Sequence, residues 1–118
     1  MKRYFLTIAV GLAILPASGN LVADSVAAMC LDASKAPEVC DCAAERLAAE
    51  VGETDYGLYE AVGAAYRDNL ADGAGRGDAW DAAVKAVAGQ NGAGATATLQ
   101  RTNRIGKAHR RAMKACAG

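Results

Sequence analysis

An all-α bundle of about five helices, stapled by disulfides and standing behind a cleavable signal peptide, is the fold this sequence predicts. Three observations carry the expectation. Alanine is the commonest residue and β-branched residues are sparse, so helix propensity is high nearly throughout. Glycines fall in clusters, in the stretches Asp72 to Gly77 and Gly89 to Gly92, that punctuate the chain rather than interrupt its apolar periodicity. The 4 cysteines are an even number, as a disulfide framework in a small exported domain requires. No strand alternation, internal repeat or second domain is visible, so residues 24–118 read as a single helical domain.

Residues 1–23 read as the signal peptide. Met1-Lys2-Arg3 supplies the positive start, Tyr4 to Leu15 is apolar apart from one threonine, and Pro16-Ala17-Ser18-Gly19 ends the run with small residues. An apolar run of about 12 residues rises only about 18 Å as a helix, short of the roughly 30 Å hydrocarbon core, so it does not span. Cleavage is expected after Ala23, with residue 19 as the alternative. The first cysteine, Cys30, lies far beyond Leu15 and follows Met29, which excludes a lipid-anchored start. The expected compartment is periplasmic or secreted.

The helices are expected in this order. The first runs from about Asp24 to Ser34, with Asp24 or Ser25 as its cap, and buries Val26, Met29, Cys30 and Ala33 at spacings of three and four. Pro37 opens the second, where a proline is welcome, with Glu38 facing the positive end of the dipole. Its stripe is Val39, Ala43, Leu47 and Val51, and Gly52 stops it. Thr54 or Asp55 caps the third, which carries Leu58, Tyr59, Val62, Ala65, Tyr66 and Leu70. Asp78 caps a short fourth helix with Trp80, Ala83, Val84 and Val87 inside. The last begins near Ala95 and runs to the C-terminus. At 100° per residue, Leu99, Thr102, Ile105, Gly106, His109, Ala112, Met113 and Cys116 share one side of it. Gln100, Arg104, Lys107, Arg111 and Lys114 fall on the other.

Cys40 and Cys42 leave their helix about 200° apart, so a bond between them would distort it. One should pair across the hairpin with Cys30 and the other with Cys116. Cys30–Cys40 with Cys42–Cys116 is the expected set, because Cys30 and Cys40 each stand five residues from Lys35; the swapped set stays open. A redox role for Cys-Asp-Cys is set aside, since redox pairs are usually C-x-x-C at a helix start after a strand.

Net charge is zero, yet its distribution is uneven. All 13 acidic residues lie between Asp24 and Asp81, and from Gly94 onward there is no acid but Arg101, Arg104, Lys107, Arg110, Arg111 and Lys114. The cationic face of Arg104, Lys107, Arg111 and Lys114 is a candidate binding surface. Docking against the chain's own acids is the default reading; no Trp or Phe accompanies the face toward a membrane, and nucleic acid is excluded for an exported chain.

His109, Met113 and Cys116, at i, i+4 and i+7, are the donor types Cu(I) prefers. The plainer reading makes Met113 core, Cys116 a disulfide half and His109 a buried hydrogen-bonding side chain. No metal or other cofactor is expected. Arg76-Gly77-Asp78 and the Gly73-x-Gly75-x-Gly77 run are turn sequences, lacking the strand and Lys-Ser/Thr ending of a phosphate loop. No hydrolase motif surrounds Ser25 or Ser34, and no catalytic residue is assigned.

With the cysteines placed, Ala28-Met29-Cys30, then Ala36-Pro37-Glu38-Val39-Cys40-Asp41-Cys42, then a terminal helix ending in Cys116, resembles small exported helical proteins of Gram-negative bacteria. Their shared plan is C-x9-C-x-C with a last cysteine near the C-terminus. The resemblance covers most of the mature chain and implies a compartment and a cysteine plan, and nothing catalytic. Mitochondrial hairpins carry C-x9-C twice; here it occurs once, behind a bacterial-type signal, so their properties are not carried over. The expected function is a non-enzymatic binding or interaction module. A stress-type chaperone of the periplasm and a copper carrier using His109 and Met113 are the alternatives. A protein is the one partner class the sequence suggests, and the mature chain keeps no integral membrane segment.

Overall fold

Capping chemistry sets where each helix starts and stops in the computed structural model, which describes residues 24–118. The signal peptide expected over 1–23 lies outside the described residues. Asp24 caps helix α1, Ser25–Asp32, its carboxylate accepting from the Val26 and Ala27 amides at 2.9 and 3.2 Å. Val26 and Cys30 are buried and Met29 is half-buried, but Ala33, expected inside, is exposed. The helix ends at Asp32, two residues before the expected Ser34, so Ala33 is already the cap residue leading into the turn. There the Lys35 amide donates to the Cys30 carbonyl and the Ser34 amide to the Leu31 carbonyl, with Ser34 at φ 67°. This is a Schellman ending with serine in the left-handed position usually taken by glycine.

Helix α2, Pro37–Val51, starts on its proline as expected and buries Cys40, Ala43, Ala44 and Leu47. Gly52 alone separates it from α3, Glu53–Ala71, and is the cap residue of both helices. Its φ of 89° and ψ of 166° belong to a region essentially reserved for glycine. The expected caps Thr54 and Asp55 are therefore displaced into the first turn of α3. The same correction applies to α4, Arg76–Gln90: Gly75 precedes it in extended conformation, and Asp78 sits inside the first turn, where the dipole still favours an acid. Helix α5, Ala95–Ala117, follows as expected. Helices α3 and α4 end in two further Schellman turns, with Gly73 and Gly92 at positive φ.

These five helices are the only regular elements among the described residues. α3 packs most extensively on α4, and α2 on α5, with α1 laid across α2 and α3. Met29 of α1 fits a notch at Gly63 of α3, where an added Cβ would lie 2.6 Å from the Met29 Cε. One core cluster joins Val26, Ala44, Leu47, Tyr59, Ile105 and Ala108; a second joins Val62, Ala83, Val84 and Val87. Trp80 packs against both and makes them continuous. Cys30–Cys40 ties α1 to α2 with Cα atoms 5.4 Å apart, and Cys42–Cys116 ties α2 to the end of α5 at 6.0 Å, both in the usual range. The expected pairing is the one present, and no cysteine is free among the described residues. No helix there is long and apolar enough to cross a membrane.

Candidate functional site

Tyr59 of α3 is the residue around which the site is organised. Buried at 5 % exposure, it directs its hydroxyl to the Nδ1 of His109 on α5 at 2.9 Å. Burial pushes that hydroxyl up to about 12, with the Arg110 charge pulling the other way. His109, only 2 % exposed, is held below the ordinary imidazole value chiefly by burial, against an opposing pull from Asp24. Its Nε2 is enclosed without a hydrogen-bonding partner. The sequence places His109 on the buried side of α5, and there it stands.

A chain of rings runs outward from this pair. The His109 and Tyr59 rings meet edge to face at 5.5 Å between centroids, Tyr59 meets Trp80 at 6.0 Å, and Trp80 meets Tyr66 at 5.4 Å. The Trp80 indole N–H donates to the Asn103 side-chain oxygen at 3.2 Å, linking α4 to α5. Tyr59, Tyr66 and Trp80 thereby form the floor of a groove of about 420 Å³, whose α5 wall is Thr102, Asn103, Gly106, Lys107 and Arg110. Thr102 folds its hydroxyl back on the Thr98 carbonyl at 2.9 Å, so it offers the groove little beyond its methyl.

A wider hollow of about 510 Å³ lies between α2 and α5, lined by Arg46, Ala49, Glu50, Arg111, Ala112 and Ala115. Its charges are largely met by the Arg111–Glu50 pair at 3.0 Å, and it has no aromatic face to offer a ligand.

The cationic face resolves into two groups. Arg111 pairs with Glu50 and Arg101 with Asp55, so the basic helix does lean on the acidic body. Arg104, Lys107, Arg110 and Lys114 are exposed and have no ion-pair partner among the described residues. Of the alternative copper donors, Cys116 is bonded to Cys42, the His109 Nδ1 is engaged by Tyr59, and Met113 is half-buried. Among the described residues no three His, Cys, Asp or Glu side chains gather as a metal cluster.

The groove was not foreseen as a site from the sequence, although a signal existed. Only four aromatic residues follow residue 23, namely Tyr56, Tyr59, Tyr66 and Trp80, and three of them line this one groove. Comparison with protein-family models, curated proteins and solved structures finds no match for the chain.

Proposed function

We propose that this chain is an exported, non-enzymatic binding protein that takes its ligand in the groove between α3, α4 and α5. The observation that carries the reading is the groove itself: an aromatic floor with a few polar groups above it, in a volume typical of small-molecule sites. The surrounding chemistry is consistent with binding rather than turnover. Burial raises Tyr59 and lowers His109, both away from neutrality, and the cysteines are committed to disulfides. Two disulfides fit an oxidising destination, which together with residues 1–23 supports export.

An uncharged dye, N-phenyl-1-naphthylamine, tests the groove, because Trp80 is the only tryptophan and reports its occupancy by fluorescence. Gly106→Leu should fill the groove and weaken dye binding at least about tenfold with helicity retained. Unchanged dye binding in that variant overturns the reading. Mass analysis of the exported pool should find a chain starting at Asn20 or Asp24; a retained Met1 would defeat the export half.

A second reading, an acid-opened stress chaperone, is favoured by one observation: the enclosed, unpaired Nε2 of His109. On that reading mild acid exposes apolar surface and the protein then suppresses aggregation of an unfolding client.

A further inference from the structure

We propose that the ligand of this groove is a small organic anion, a flat apolar ring body carrying one acidic group. The inference rests on the reading of the groove as the binding site and adds the chemistry of its occupant.

The floor selects the body. Tyr59, Tyr66 and Trp80 line the groove and offer an apolar body aromatic contact, with half-buried Tyr66 and Trp80 more open than buried Tyr59, in a space of about 420 Å³ that accommodates a fused ring system.

The rim selects the charge. Lys107 and Arg110 line the groove, and no acidic side chain does. They stand three apart on α5, so their side chains lie on neighbouring positions of one helix surface. Arg101 is committed to Asp55 and Arg111 to Glu50, whereas Lys107 and Arg110, like Arg104 and Lys114, have no acidic partner among the described residues; of these four, only Lys107 and Arg110 line the groove.

Gly106 completes the arrangement. A Cβ at this position would lie 3.8 Å from the Arg110 Nη1 and equally 3.8 Å from the Tyr59 hydroxyl. The Arg110 guanidinium thus lies back along α5 over Gly106, close to the Tyr59 ring, while the residue stays exposed. An acid group arriving there meets a charge-assisted donor next to low-polarity rings, where such bonds are stronger than in open water. The Asn103 oxygen accepts from the Trp80 indole, and its amide N–H groups remain as donors at the groove.

The test compares two probes with the same rings, 2-naphthoate and uncharged 2-naphthylmethanol, by amide and indole shift titration of the oxidised protein. The lone Trp80 indole N–H and the Gly106 amide locate binding in the groove. We expect 2-naphthoate to bind at least about tenfold more tightly than 2-naphthylmethanol. The double variant Lys107→Gln/Arg110→Gln should lose that advantage, the loss falling mainly on 2-naphthoate. Arg104→Gln/Lys114→Gln, which removes equal charge from the same helix outside the groove, should change neither affinity. All four positions are exposed, and an unchanged melting temperature verifies that the variants fold. Equal affinities for the two probes, or equal losses in both double variants, overturn the anion preference and leave the groove reading intact. Shifts from neither probe at Trp80 and Gly106 overturn both.

Discussion

His109 shows what one buried imidazole contributes. Its Nδ1 shares a hydrogen bond with Tyr59 while Nε2 has none, so the side chain is half satisfied. Replacement by Gln should cost on the order of 1 kcal/mol, the net worth of that bond and some packing. Its burial also links stability to pH. The folded pKa lies below the unfolded value near 6.5, so the unfolded chain binds the proton first as pH falls. Stability attributable to His109 is complete above about pH 6.5 and is lost below it, until the folded pKa is reached, at no more than about 1.4 kcal/mol per unit. Urea titrations from pH 7.5 to 5 should show that slope in wild type and a shallower one in His109→Gln. Parallel slopes would mean that His109 is not the titrating group.

At the scale of helices, much of the fold was legible and the starts of two helices were not. Propensity and glycine punctuation place all five helices, and the stripes through Leu47, Val62, Val84 and Ile105 face inward as their periodicity predicts. Thr54, Asp55 and Asp78 carry cap-forming side chains, yet glycine precedes α3 and α4 instead. At Gly52 the reason is the one-residue junction, which only glycine makes at low cost and which starts α3 before Thr54 is reached. Helix ends suggest a stabilising change. Of the three Schellman turns, two have glycine at the left-handed residue and the third has Ser34. Ser34→Gly should raise stability by on the order of 1 kcal/mol, the strain a Cβ carries in that conformation set against added freedom in the unfolded chain. A lower midpoint in denaturant than wild type would show that the Ser34 side chain compensates.

Over the whole molecule, the two bridges differ in reach, 10 residues against 74. By loop-closure entropy the short one is worth about 3 kcal/mol and the long one about 4.5. Cys42→Ala/Cys116→Ala should therefore lower stability more than Cys30→Ala/Cys40→Ala, measured by denaturant unfolding. The reverse order would place strain or residual unfolded-state structure above chain entropy. Cysteine parity and helix geometry made two bridges readable in advance, one local and one to Cys116, but left open which of Cys40 and Cys42 joins Cys30. The groove was not, because Tyr59 and Gly106 are brought together only by the packing of α3 against α5, and no periodicity in either helix names its partner.

The wide spacing of the second bridge has a consequence for how the molecule is made. A polypeptide emerges N-terminus first, and Cys30, Cys40 and Cys42 appear within a dozen residues of one another, long before Cys116. The Cys30 and Cys40 thiols can close as soon as α1 and α2 form a hairpin. Cys42 must then wait, as a free thiol beside a fresh disulfide, until Cys116 arrives. During that interval it is the nascent chain's own most accessible nucleophile, and attack on either neighbour would trade the native bond for a wrong one. The geometry that points Cys42 to the opposite side of α2 from Cys40 thus protects assembly in time as well as pairing in space.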